Sequence, residues 1–433
     1  MIVEAPVDIM VARDPRGFLA ALFQAMVDAA APQYLMPSRL PHPPRGRTLV
    51  VGAGKAAAAM AKTVEDHWNG PLSGLVVTRY GHGLPCVKVE VVEAGHPFPD
   101  TAGAAAAERL LNLTRGLTAE DLVLALFSGG GSALLALPAP GLTLADLRDV
   151  DRQLLRSGAT ITEMNCVRRH LSAITGGRLG ASCAPASVVT FLISDVPADD
   201  PAVVASGPTV PDPTTFAEAR AVAHRYRLHL PESVRRHLEE AAEETPKPGD
   251  PRLAHGEVIM LTTPDQALEA AAMRASAGGL RPIVLGSLEG ESRELAVTHA
   301  GLIRQIQRSR RPGERPTVLL SGGETTVTVK GQGQGGRNTE YLLALAVALE
   351  QTAEGAPGVY ALSADTDGID GSEDNAGAFL SPDTAERALA SGLDPRAYLD
   401  ANDSFNFFRQ LGDLLTTGPT RTNVNDFRAI LVT

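Results

Sequence analysis

The residues best suited to do chemistry lie between Leu319 and Glu340, LLSGGETTVTVKGQGQGGRNTE. An apolar run ends in Ser321-Gly322-Gly323-Glu324, and the alternating segment Thr325 to Lys330 reads as a strand with one buried face. Four glycines in six residues then precede Arg337-Asn338 and an Ala/Leu-rich helix. Glycine costs about 1 kcal/mol inside a helix or strand, so this run serves backbone reach rather than element stability. A Gly-rich turn feeding a helix amino terminus offers unpaired N–H groups and the positive end of a dipole to an anion. Arg337 adds a planar fork matched to phosphate or carboxylate. Gly322, Gly323, Glu324, Gly335, Gly336 and Asn338 are therefore expected to contact a phosphorylated ligand. A flexible hairpin with a solvated arginine is the alternative.

Two further turns repeat the theme. Gly52-Ala53-Gly54-Lys55 follows the apolar run Thr48 to Val51 and leads into an Ala-rich helix. It fits the dinucleotide fingerprint only formally, because Arg79 rather than an acidic residue ends the next strand. The P-loop pattern fails, since Ala56 follows Lys55. What remains is a lysine at a strand-to-helix turn among small residues. Ser128-Gly129-Gly130-Gly131-Ser132 follows the strand Leu122 to Phe127, at the carboxyl end where open α/β sheets bind ligands. Its three glycines let amides converge on phosphate oxygens. Gly52, Gly54 and the residues Ser128, Gly129, Gly130, Gly131 and Ser132 thus join the expected nucleotide contacts.

Carboxylates at strand ends suit a hard cation or the ordering of a loop. Asp195, after the strand Ser187 to Ile193, and Asp365 and Asp367, after Val359 to Leu362, are the candidate Mg²⁺ ligands. Asp365, Asp367 and Asp370 imitate the start of a calcium-binding loop but lack its twelfth-position glutamate. A carboxylate cluster at the sheet edge is the reading that remains.

Strands alternating with helices must position these turns, which indicates βαβ units and α/β architecture. A chain of 433 residues exceeds one ordinary core, and the stretch Glu243 to Arg252, EETPKPGDPR, reads as the clearest linker. The expected domains are residues 1–245 and 253–433. The helix Ile161 to Ile174 carries Glu163, Asn165, Arg168, Arg169 and His170, charges that read mostly as solvated. Hydrophobic content of 44% with 21% charged residues describes a globular chain. A net charge of -11 argues against a general nucleic-acid surface but leaves room for a local basic pocket. Three cysteines without CxxC spacing indicate neither a disulfide framework nor a zinc site. The apolar stretch Leu122 to Leu137 is broken by glycines and is not a membrane span, and Glu4 and Asp8 interrupt any signal peptide. The cytoplasm is the expected location, and the oligomeric state is left open, with a homo-oligomer compatible.

Taken together, these segments resemble the glycerate 2-kinases that carry a MOFRL domain. The resemblance runs through VGAGKAAAAMA, GHPFPD, FSGGGSALL, LLRSGATITEMNCVRRHLSAITGGRL, ISDVPADDPAVVASGPT, the Leu319–Glu340 stretch and SADTDGIDGSEDNAGAF, in matching order. It implies two dissimilar α/β domains with the active site in the cleft between them. The first would be Rossmann-like with a mainly parallel sheet. The second would have a mixed sheet, its MOFRL region spanning about 315–430. It implies transfer of the γ-phosphoryl of ATP, with Mg²⁺, to the 2-hydroxyl of D-glycerate. The family's important cations map onto Lys55 and Arg337, which would approach the transferring group from opposite walls. One departure is visible, Thr339 where the pattern expects glutamine. Two rivals stand beside this reading. An NADP-dependent hydroxypyruvate reductase would rely on Gly52-x-Gly54-x-x-Ala57 and Arg79, and a non-catalytic sensor would bind nucleotide or sugar acid without turnover.

Overall fold

The computed structural model describes residues 14–311, 313–350 and 357–433. The residues behind the signal-peptide expectation lie outside this range. The chain divides into two compact units, residues 31–262 and residues 263–433 joined by the segment before Ala31.

The first unit is built on β1 (Thr48–Ala53), β2 (Ser73–Arg79), β3 (Val89–Ala94), β4 (Leu122–Phe127), β5 (Ser187–Ile193) and β6 (Gly256–Thr262). They form one sheet in the order β3-β2-β1-β4-β5-β6, and every pairing is parallel. The central strands β1 and β4 are buried along their whole length, which is why they read as continuous apolar runs. Val51, Ala53, Val77, Val123, Ala125 and Phe127 share one core. Chain direction away from the sheet centre reverses between β1 and β4, and a parallel sheet opens a ligand crevice at that point. Ala53 pairs with Phe127, so the turns after the two strands begin level.

The second unit contains β7 (Arg281–Ser287), β8 (Gly290–Glu291), β9 (Thr317–Gly322), β10 (Thr325–Thr326), β11 (Val359–Asp365), β12 (Gly377–Leu380), β13 (Leu414–Leu415) and β14 (Asp426–Val432). Six of these form a mixed sheet in the order β13-β12-β11-β14-β9-β7, with β7 and β9 parallel and the other pairs antiparallel. β8 and β10 pair separately. The helix Arg337–Glu350 is buried from Asn338 to Leu349 on every side, the pattern of an element at the centre of its domain.

Three expectations are corrected. β6, assigned from sequence to the second domain, completes the first sheet beside β5, and the Pro-rich stretch Glu243–Arg252 lies inside that unit. The helix Pro15–Ala29 belongs to the second unit, where Arg16 pairs with Asp413 at 3.1 Å and the Phe23 ring lies 6.0 Å from Phe427. The strand expected over Thr325 to Lys330 stops at Thr326. Beyond it side chains replace the ladder: Glu291 accepts from Thr328 N, and Asn402 Oδ1 accepts from Lys330 N and Gly331 N at 2.8 and 2.9 Å.

Candidate active site

In the first unit the Gly-rich turns meet where the strand order reverses. Lys55 N donates to Gly129 O at 2.9 Å, and Ala56 N donates to Ser128 Oγ at 3.0 Å, so the turn after β1 is tied to the turn after β4. Gly54 has φ +137°, and a Cβ there would fall 2.2 Å from Ser128 Oγ. A Cβ on Gly52 would fall 2.2 Å from Leu126 O. These two glycines are thus accounted for by the approach of the neighbouring strand. Gly130, with φ +84°, has the Lys55 stem and the His96 ring over its α-carbon, where a Cβ would meet them at 3.5 and 3.0 Å. Lys55 is 9% exposed, a buried cation rather than a solvated one.

The loop after β5 closes the same corner. Ala205 and Ser206 hold positive φ of 50° and 59°, a region non-glycine residues rarely occupy. Ala205 covers Gly131, whose Cβ would lie 2.5 Å from that of Ala205. The hydroxyls of Ser206 and Ser132 are 2.8 Å apart, and Ser206 donates to Asn165 Oδ1 at 3.4 Å. Asn165 and Arg169 are buried, against the expectation of a solvated helix face. Arg169 is anchored by Asp212 at 2.8 Å and by Ala202 O at 2.7 Å. Asp195 lies half-buried two residues past the end of β5.

In the second unit Arg337 opens the central helix and is held by three carboxylates. Its Nε bonds both oxygens of Asp426 at 2.8 and 3.0 Å, Nη2 bonds Asp365 at 2.8 Å, and Nη1 bonds Glu324 at 2.7 Å. Although burial opposes its charge, Asp426, Asp365 and Glu324 hold its pKa well above the ordinary value. Asp426 is shared with Arg428, whose Nη2 donates to it at 2.7 Å while Nη1 donates to Gly322 O at 2.7 Å. Asn338 donates to Asp426 and Asp370 and accepts from Ser363 Oγ at 2.6 Å. Gly323, with φ +89°, lies against the Leu288 backbone, 2.3 Å from where its Cβ would be.

The helix terminus beside Gly335 and Gly336, expected to meet a phosphate, is occupied from within the protein. Asp370 lies against Gly336 and accepts the amides of Asn338 and Thr339 at 2.9 and 2.8 Å. Gly336 N donates to Thr339 Oγ1, Gly333 N to Ala401 O and Gln334 N to Asp403 Oδ1. Side chains at Gly331, Gly333 and Gly335 would strike Ala401, Asp403 and Ser404. The glycines let this strap lie flat on its neighbour.

The three aspartates are likewise not a ready-made cation site. Among the described residues no group of three or more His, Cys, Asp or Glu side chains is arranged for a metal. Asp365 is committed to Arg337 through Oδ2 and to Asp367 N through Oδ1. Asp367 accepts from Ile369 N at 2.8 Å, and Asp195 lies in the other unit. Sequence reasoning missed Asp426 and Arg428. Their signal was two charges at alternate positions, hence one face, of an otherwise apolar last strand.

A model of the MOFRL family matches residues 317–426, and one described as a domain of unknown function, DUF4147, matches residues 18–239. A protein of Agrobacterium vitis with the provisional name hydroxypyruvate reductase is 52% identical, covering 96% of this chain and 94% of its own. The D-glycerate 2-kinase of Thermotoga maritima is 40% identical over 92% of this chain and 94% of its own. A crystal structure of glycerate kinase from Thermotoga maritima aligns with a TM-score of 0.84 at 37% identity, covering 97% of this chain and all of that one. By sequence and by fold, the chain belongs to the MOFRL-domain family of glycerate 2-kinases.

Proposed function

We propose that this chain transfers the γ-phosphoryl group of ATP to the 2-hydroxyl of D-glycerate, giving 2-phosphoglycerate and ADP. The observation that carries this reading is the meeting of buried Lys55 with the Ser128–Ser132 turn at the β1/β4 switch point. Phosphoryl transfer asks a protein for positioning and charge neutralisation more than for covalent chemistry. Lys55 supplies a cation whose backbone is held by the turn after β4. In the second unit Arg337 supplies the other cation, its fork oriented by Asp426 and Asp365.

Mg²⁺ fits these residues as an ion that arrives with the nucleotide, because it commonly uses one or two protein carboxylates and completes its shell with phosphates and water. Asp195 in the first unit and Asp367 in the second are the separate candidates we keep for such a carboxylate. When bound, it neutralises charge on the β- and γ-phosphates. Among the described residues no helix is long and apolar enough to cross a membrane, and all three cysteines are free, as in a reducing compartment. The latter supports the cytoplasm as the location.

The rival is an NADP-dependent reductase, favoured by the name of the Agrobacterium vitis relative and by a strand order shared with dinucleotide-binding sheets. Against it, Ser128 Oγ already takes the Ala56 N–H at the helix start, where a pyrophosphate would sit. Incubation with D-glycerate, ATP and Mg²⁺, followed by enolase alone, tests the reading. Phosphoenolpyruvate without added mutase is the expected result. A signal only with phosphoglycerate mutase overturns the 2-hydroxyl, and silence with NADPH consumed on hydroxypyruvate overturns the kinase.

A further inference from the structure

The three ion pairs of Arg337 are unequal in one respect. Asp426 and Asp365 are 0% and 5% exposed at their side chains, whereas Glu324 is 56% exposed. Withdrawing a partner from a buried carboxylate strands a charge where water cannot reach it. An exposed carboxylate turns into solvent at little cost. The backbone beneath Glu324 is pinned, with Leu288 N donating to Gly322 O at 3.0 Å and Asp426 N donating to Gly323 O at 3.2 Å. Only the Glu324 side chain has to move to free the Nη1 edge of the fork.

We infer that Glu324 is a displaceable counter-ion of Arg337, and that a substrate anion replaces it on Nη1. The inference rests on the reading of Arg337 as a substrate contact and adds how that contact is made. The chemistry that fits is a planar carboxylate or a phosphate oxygen, which glycerate and the nucleotide respectively bring. Glu324 then sets a threshold. Weakly held anions lose the competition for Nη1, and a ligand anchored at other points wins it. The Nε and Nη2 edges stay on Asp426 and Asp365 throughout, so the fork keeps its orientation while it changes partner.

The test is binding by titration calorimetry of D-glycerate, ATP and inorganic phosphate, each alone, to the intact chain and to its Glu324→Gln and Arg337→Gln variants. Glu324→Gln keeps the shape and removes the competing charge. It is expected to tighten whichever ligand lands on Nη1 by about two- to fivefold, the range open to an exposed ion pair, and to tighten phosphate as well. Tightening of D-glycerate points to the carboxylate and tightening of ATP to the phosphate. Unchanged or weakened binding of all three in Glu324→Gln overturns the exchange, provided Arg337→Gln weakens binding. If Arg337→Gln changes no affinity, the reading of Arg337 as a substrate contact falls first and takes the exchange with it.

Discussion

Asp370 and Thr339 are joined twice, the carboxylate accepting both the amide and the hydroxyl of the threonine at 2.8 Å. A residue outside the helix thereby caps the turn that carries Arg337, and it does so while 1% exposed. Replacing Asp370 by alanine strands the amides of Asn338 and Thr339 in a dry site. The expected cost is about 2–4 kcal/mol, combining a lost cap with unsatisfied buried donors. Chemical denaturation of Asp370→Ala measures it, and a cost near zero would return the helix terminus to the ligand.

Lys55→Ala and Arg337→Ala are both expected to lower kcat by roughly 10² to 10³, the usual result of removing one charge-stabilising group. Arg337→Ala should also cost stability. Arg337→Ala takes the guanidinium from buried Asp365 and leaves Asp426 with Arg428 alone, a loss of about 3–5 kcal/mol for a broken buried pair. Arg337→Lys should rescue little, because a single ammonium cannot meet three carboxylates in one plane. Melting curves of Arg337→Ala and Arg337→Lys alongside turnover measure both losses.

β1, β4 and their turns were legible because buried parallel strands announce themselves as unbroken apolar runs leading into glycine, whereas β6, exposed at its start, was read into the other domain. Asp426 was not, because the ion pair that gives it meaning joins it to Arg337, on a helix far away in sequence, although its other partner Arg428 lies on the same strand. The strap from Gly331 to Gly336 shows a different limit. Glycine reports that something comes close to the backbone, but not what. At Gly336 it is Asp370, at Gly331 it is the Ala401 carbonyl, and a ligand would leave the same mark in the sequence.

Ala205 gives a test of strain at the first unit's corner. Its φ of 50° and ψ of 24° are left-handed, where an L side chain costs about 1 kcal/mol or more. Ala205→Gly relieves that cost but loosens the unfolded chain, so a net gain of about 0.5 kcal/mol is expected. Activity should not rise with it, because the cover over Gly131 and the placing of Ser206 against Ser132 become looser. A lower melting temperature in Ala205→Gly would mean that packing, not strain, dominates there.

His299 predicts a pH dependence of stability. Burial, and secondarily the nearby Arg428 charge, lower its pKa from 6.5 to about 4, and its Nδ1 lies 2.5 Å from the Tyr341 hydroxyl. Folded, the ring is therefore neutral across a range in which the unfolded chain takes up a proton. The folded pKa being the lower one, the stabilisation is complete above pH 6.5 and is lost as pH falls toward about 4. At 1.36 kcal/mol per unit, the loss between about pH 7 and about pH 5 is roughly 2 kcal/mol. His170 is also buried with its pKa lowered, so it contributes a slope of the same sign. The difference between the parent and His299→Gln isolates the part due to His299. Urea unfolding of both at the two pH values should show a shallower decline in the variant, and equal slopes would place the acid sensitivity elsewhere.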